Sequence, residues 1–256
     1  MDKNEIHPSA HISSDVKLGS GNVIGANVSI IGEVSLGNGN HIGPGSVIQN
    51  RVVIGDENQI YGPISIGSLG EMGTKGDSMP DHGVVKIGNR NTIREFTTIN
   101  FPVRELETAI GDDCYLMART HVPHDAVLGD RVVMATNSLI GGGCKVGDAA
   151  YIGLGSLVHQ WVNIGSGAMI GMNATVTAHV PPAVIVMGSP ARITGVNRVG
   201  LERRGYSDQD IDAFAKVLDI VYSGTGEQFD ALIEGELLGG FAQFLSENER
   251  TCKMKN

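Results

Sequence analysis

The stretch IGDDCYLMARTHVPHDAVLGDRVVMATNSLIGGGCKVGDAAYIGLGSLVHQWVNIGSGAMIGMNATV, residues 110–176, decides the fold. A large aliphatic returns at every sixth residue: Ile110, Leu116, Val122, Leu128, Met134, Ile140, Val146, Ile152, Val158, Ile164, Ile170 and Val176. The same phase runs from Ile6 to Ile66 and resumes briefly at Ile87, Ile93 and Ile99. A six-residue period held this long is the mark of a parallel β-helix of hexapeptide repeats. Six residues make one short strand and a corner, and three hexads make one triangular coil. The register aliphatic points inward and stacks on its equivalents in the coils above and below, about 4.8 Å away. Gly and Asn at the corners, as in GSGN (19–22) and GNGN (37–40), supply the positive φ that tight corners need. The expected prism has roughly nine coils and stands about 40 Å tall.

Composition agrees with this reading. Charged residues make up 18% and aromatics 5%, with 36 glycines, which suits short strands and tight corners better than a layered α/β fold. A net charge of −9 weighs against a general nucleic-acid-binding surface. Cys114, Cys144 and Cys252 have neither metal-site nor disulfide spacing and read as reduced thiols of a cytoplasmic protein. The first residues, MDKNEIHPSA, lack the apolar run of a signal peptide. No segment approaches the roughly 18 apolar residues of a membrane span.

The phase breaks twice, by 21 residues from Ile66 to Ile87 and by 11 from Ile99 to Ile110. Residues 67–86 and 100–109 are therefore expected to leave the prism as loops, and long excursions from a compact scaffold are usually functional or disordered. The repeat stops near VPP (180–182). Ser207 with Asp210 then forms a capping-box-like start, followed by Ile211, Phe214, Leu218 and Val221 at helical spacing. Phe229, Leu232, Ile233 and Leu237 suggest a second helix, and Phe241, Phe244 and Leu245 a third. The expected organisation is a β-helix over 1–196 and a helical domain over 197–256 that caps the open end.

Within the prism, THVPHDAV (120–127) places His121 and His124 either side of Val122, with Asp125 following. Taken alone, exposed histidines on such a scaffold are mostly surface. Four stretches give them a context: HVPHDAVLG (121–129), GSLVHQW (155–161), HVPPAVIVMG (179–188) and GVNRVGLERRG (195–205). With these motifs the chain resembles, over nearly its full length, the UDP-N-acetylglucosamine acyltransferase family of lipid A biosynthesis. The resemblance implies a left-handed coil, a homotrimer with sites between prisms, and no cofactor, the acyl donor being a thioester on acyl carrier protein. It implies that His124 is the general base for the sugar hydroxyl and Asp125 the carboxylate that orients it. Imidazole suits proton transfer near neutrality, and a carboxylate on its other nitrogen fixes the tautomer. A backbone N–H must hold the tetrahedral oxyanion, and the family's glycine for this falls near Gly142. His121, His159 and Gln160 match residues lining the cleft. Asn197, Arg203 and Arg204 match residues that hold the nucleotide end, a role suited to the forked guanidinium. Residues 192–204 also carry Arg192, Arg198, Arg203 and Arg204 against Glu202, a basic patch able to dock the acidic carrier protein. Met172 matches the residue that limits acyl length, and its bulk implies a shorter chain.

Several positions depart from the family pattern. Gly143 stands where the family has a further histidine, Asn100 where it has another, and Val199 where a glutamate contacts the nucleoside. The first excursion reads GEMGTKG (70–76) in place of a Gln-Asp-x-Lys segment, which leaves Glu71 and Lys75 as the counterparts. The base and the basic tail persist while acceptor recognition changes, so a related UDP-amino sugar, acylated on oxygen or nitrogen, is an alternative acceptor. Two further alternatives are a hexapeptide transferase using an acyl-CoA on another sugar or amine, and a non-catalytic nucleotide-sugar binder. A zinc enzyme of the γ-carbonic-anhydrase type needs three converging histidines. His159 follows His124 by nearly two coils, about 9–10 Å along the prism, too far for one chain to bring both to one ion.

Overall fold

The computed structural model describes residues 3–71, 82–223 and 235–254. The repeat builds three parallel sheets that form the sides of a prism. The first sheet has eleven strands, beginning at Glu5–Ile6; the second has nine, from His11–Ile12 to Thr175–Val176; the third has eight, from Lys17–Leu18 to Asn163–Ile164. Most strands are two or three residues long, and the second residue is usually the register aliphatic. Each stacks on its equivalent one coil away, as in Leu116 on Met134 and Ile152 on Ile170. Ile30, Ile42, Ile48, Ile60, Ile66, Ile93 and Ile99 are all wholly buried, so the core is one continuous column of aliphatics. The nine strands of the second sheet match the expected coil count.

Hydrogen-bonded partners that lie 18 residues apart elsewhere are 33 apart across the first excursion and 23 apart across the second. Both excursions leave from the second sheet and return on the third, in adjacent coils. The strands run further into them than the spacing suggested. Ser65–Ser68 and Val84–Ile87 bracket the first, and Thr98–Asn100 and Glu107–Ile110 the second.

After the last coil, Val184–Met187 pairs antiparallel with Arg192–Val196. Three helices follow: α1 (Arg198–Arg203), α2 (Asp208–Ser223) and α3 (Gly235–Glu247). Ser207 caps α2 as its sequence suggested: its hydroxyl accepts from the Asp210 N–H, and the Asp210 carboxylate accepts from the Ser207 N–H. Phe214 of α2 packs edge-on against Phe241 of α3, with centroids 5.3 Å apart. The helix expected around 229–237 is corrected in part. Leu237 belongs to the same helix as Phe241, Phe244 and Leu245, while Phe229, Leu232 and Ile233 lie outside the described residues. The chain then returns to the end of the prism, where the His179 N–H donates to the Arg250 carbonyl and the Cys252 N–H to the His179 carbonyl.

Candidate active site

His124 sits on the edge between the second and third sheets, one coil beyond the two excursions. Its Nδ1 lies 2.7 Å from Asp125 Oδ2. The Asp125 side chain is fully buried, whereas that of His124 keeps 13% of its surface. Asp125 Oδ1 also accepts the backbone N–H groups of Val103, Arg104 and Glu105, at 2.8, 3.0 and 3.0 Å. The carboxylate therefore fastens the second excursion to the edge. Burial pushes the Asp125 carboxyl up, but the bonds from His124 and from these backbone groups outweigh it and hold the carboxyl below its usual range. An ionised Asp125 accepts from Nδ1–H, which leaves the Nε2 lone pair as the basic site of the ring.

Two glycines fix the imidazole from either side. A β-carbon on Gly142 would lie 2.6 Å from His124 Cε1 and 2.8 Å from Nε2, and one on Gly70 would lie 2.8 Å from His124 Cβ. Only residues without side chains fit there. The Gly142 N–H donates to no acceptor among the described residues, so a donor stands ready beside the ring. His121 shares the coil, and its Nδ1 lies 2.7 Å from Thr98 Oγ1. Burial pulls its imidazole down, with nearby Glu71 opposing and His124 reinforcing the shift. His159 and Gln160 stand exposed two coils further along the same edge, and His159 Nδ1 lies 3.1 Å from the Gln160 carbonyl.

The remaining expected residues are not brought to this edge within one chain. Arg203 and Arg204 lie with Asn197 beside Tyr151, Met169 and Ile185, over the first sheet. The Asn197 side chain caps α1 through the Gly200 N–H and donates to the Gly167 carbonyl. Met172 projects from the edge between the first and second sheets, 71% exposed. Lys75 lies outside the described residues. Asn100, where the family pattern carries a histidine, is buried and holds the first excursion by donating to the Leu69 carbonyl at 2.8 Å. Sequence reasoning missed Gly70 and the three N–H groups of residues 103–105, none of which has a local signal. Gly142 and Gly143 were singled out by resemblance, but not as a corner kept clear for the side chains of neighbouring coils. Among the described residues, no three His, Cys, Asp or Glu side chains gather as a metal would require.

Known proteins resemble both the prism and the helical end of the chain. Residues 107–142 match the bacterial transferase hexapeptide (six repeats). Residues 179–252 match domain 2 of UDP-N-acetylglucosamine O-acyltransferase. The crystal structure of a UDP-N-acetylglucosamine acyltransferase from Bacteroides fragilis 9343 superposes with a TM-score of 0.89 at 27% identity, over 96% of this chain and 99% of that one. The chain resembles the UDP-N-acetylglucosamine acyltransferase family in fold over nearly its full length. The Campylobacter jejuni UDP-N-acetylglucosamine acyltransferase is similar over 98% of this chain and all of its own, with 27% identity and a TM-score of 0.81. A curated relative, the acyl-[acyl-carrier-protein]–UDP-N-acetylglucosamine O-acyltransferase of Herminiimonas arsenicoxydans, is 35% identical over 140 residues. That match spans 54% of this chain and about half, 53%, of the relative. The fold shared with this acyltransferase family is the left-handed parallel β-helix with a small helical end.

Proposed function

We propose that this chain transfers an acyl group from acyl carrier protein to UDP-N-acetylglucosamine or a closely related UDP-amino sugar. The observation that carries the reading is the His124–Asp125 pair, its ring held between Gly70 and Gly142 on the prism edge where both excursions emerge. His124 Nε2 takes the proton from the acceptor hydroxyl or amine as that atom attacks the thioester carbonyl. The tetrahedral oxyanion is held by the Gly142 N–H. Collapse breaks the carbon–sulfur bond, and the imidazolium returns the proton to the leaving thiol. Asp125 stabilises the imidazolium in between. A thioester is already activated, so no acyl-enzyme is needed.

The outer face of the second sheet supports an acyl path. His121, Leu139 and Leu157 are register partners in successive coils, and the two leucines are 40% and 48% exposed. Leu154 and Met172 continue the apolar surface at the next edge. A column of exposed aliphatics leading from the base suits a hydrocarbon chain. From the His121 strand to the strand after Met172 is three coils, about 14 Å. Met172 at the end of that column favours a shorter chain of hydroxyacyl type.

The nucleotide-end residues lie on another edge, so in this reading a second copy supplies them and the working unit is the homotrimer. Arg198 is committed to Asp212, which leaves Arg192, Arg203 and Arg204 as the cations for the diphosphate and for an acidic carrier protein.

The test is to incubate the protein with UDP-N-acetylglucosamine and a ladder of acyl carrier proteins bearing different chains, and to read product masses. The reading predicts one added acyl group, drawn from the shorter chains. Transfer only to another UDP-amino sugar would mean that Asn100, Gly143 and Val199 re-specify the acceptor. Transfer from acyl-CoA in place of the carrier protein, or none to any nucleotide sugar, would overturn it.

A further inference from the structure

Two rings meet over consecutive glycines beside the base. Gly141 to Gly143 form the corner between Leu139–Ile140 and Lys145–Val146. The His124 imidazole reaches this corner from one neighbouring coil and lies against Gly142. The Trp161 indole reaches it from the coil on the other side and lies against Gly143. A β-carbon there would stand 2.2 Å from indole Cε3 and 2.3 Å from Cζ3. The indole thus fills the volume that any side chain at 143 would need. Asp125, Gly143 and Trp161 hold equivalent corner positions in successive coils, with φ of 65°, 69° and 62°. The Arg104 guanidinium carbon lies 6.0 Å from the indole centroid, and the Arg104 N–H binds the Asp125 carboxylate. Even so packed, Trp161 is 40% exposed, and it is the only tryptophan of the chain.

We propose that Trp161 is a specificity-determining residue for the acceptor. Its open surface is the wall on which the pyranose ring of the nucleotide sugar rests while one of its hydroxyl or amino groups meets His124 Nε2. The assignment rests on the acceptor reading above. A pyranose presents a flat face of C–H groups, slightly positive at hydrogen, and an aromatic face is slightly negative, so the two are complementary in shape and in charge. A rigid wall one glycine away from the base sets the tilt of the sugar, and therefore which of its groups reaches the imidazole. Arg104 braces the indole from the excursion that Asp125 holds in place. Gly143 and Trp161 act as one unit: a side chain at 143 and the indole in this position exclude each other.

The single tryptophan makes the native emission a report on position 161. The full-length protein would be titrated with UDP-N-acetylglucosamine and with UDP alone, with occupancy followed by calorimetry. The nucleotide sugar is expected to change the emission with the same midpoint as the heat, while UDP at matched occupancy leaves it unchanged. Equal changes with both ligands, or bound nucleotide sugar with a silent indole, would overturn the assignment. Failure of any UDP-amino sugar to bind would overturn the acceptor reading, and this assignment with it. His124→Ala should keep the emission change while losing transfer, which separates sugar binding from chemistry. Trp161→Ala should raise the acceptor KM about tenfold and leave the KM for acyl carrier protein unchanged, and Trp161→Phe should recover most of that loss. Equal rises for both substrates would mark Trp161 as structural and contradict the proposal.

Discussion

The edge between the third and first sheets and the edge between the second and third are built from the same hexad and have diverged completely. Along the first runs a closed ladder. The Asn40 N–H donates to Asn22 Oδ1, the Asn58 N–H to Asn40 Oδ1 and the Asn91 N–H to Asn58 Oδ1, each at 2.9 Å. All four asparagines are buried, and Asn22, Asn40 and Asn58 each donate an amide N–H to a glycine carbonyl. Cys114 takes the next position in the ladder, where burial pushes its thiol up to about 11, so it stays a packed, neutral group. On the other edge the repeat is interrupted twice. There the His124 ring leans on a glycine and the Gly142 N–H meets no acceptor among the described residues, while the backbone still pairs from coil to coil, the Gly143 N–H donating to the His124 carbonyl and the Trp161 N–H to the Gly142 carbonyl. The contrast shows where this scaffold spends its polar groups. Paired along the axis they hold coils together, although the buried Asn91 amide nitrogen lacks a partner among the described residues; at the broken corner the groups left unpaired are the ones assigned to chemistry in the proposed function.

The largest effect expected is on the broken edge. His124→Ala should lower the transfer rate by roughly 10²–10⁴-fold while the melting temperature stays within a degree or two. Next comes Gly142→Ala, whose new methyl would press on the imidazole, and a displacement of about 1 Å costs on the order of a hundredfold in rate. Steady-state kinetics should show the loss in kcat; an unimpaired kcat would mean that the ring has room to move. The closed edge should answer in the opposite way. Asn58→Ala strips partners from the Asn91 N–H and the Gly88 carbonyl, both within the prism wall. Denaturant unfolding should show a loss of about 2–4 kcal/mol with kcat unchanged.

The smallest effect is a matter of pH. Burial holds the folded His121 pKa below the unfolded one. Above an unfolded value of about 6.5 neither state carries the proton and the group adds no slope. As pH falls through that value toward the folded pKa, the unfolded chain protonates first and stability is lost. Melting temperatures measured from about pH 7 down to 5 should therefore decline less steeply in His121→Gln; identical slopes would show that the burial is not felt.

The aliphatic column beside the closed edge was legible in the sequence because it follows one period, but of the GSGN and GNGN corners only Gly21 and Gly39 take the expected positive φ, while Asn22 and Asn40 serve as the ladder. Ile42 stacks on Ile60 and Ile60 on Ile93 in the phase that the hexads announce. The excursions were legible as breaks in that phase, and the His124–Asp125 pair through its motif. What the excursions do on leaving the prism was not. Gly70 returns against His124 and residues 103–105 wrap Asp125 through contacts between coils that no spacing encodes. Motif matching also gathered Asn197, Arg203 and Arg204 with His124 as one site, although in the folded chain they occupy a different edge. The expected homotrimer, with sites between prisms, would bring the two edges together from different copies.

The most direct test is therefore to mix two variants expected to be inactive, His124→Ala and Arg204→Ala, by dissociating and reassembling the proposed homotrimer, and to measure acyl transfer. If the base of one copy works with the arginines of the next, mixed assemblies contain some sites in which both residues are native. Activity should then return to a substantial fraction of the native value. If each chain holds a complete site, every site keeps one defect and the mixture stays as inactive as its parents. That result would contradict a site shared across the broken edge.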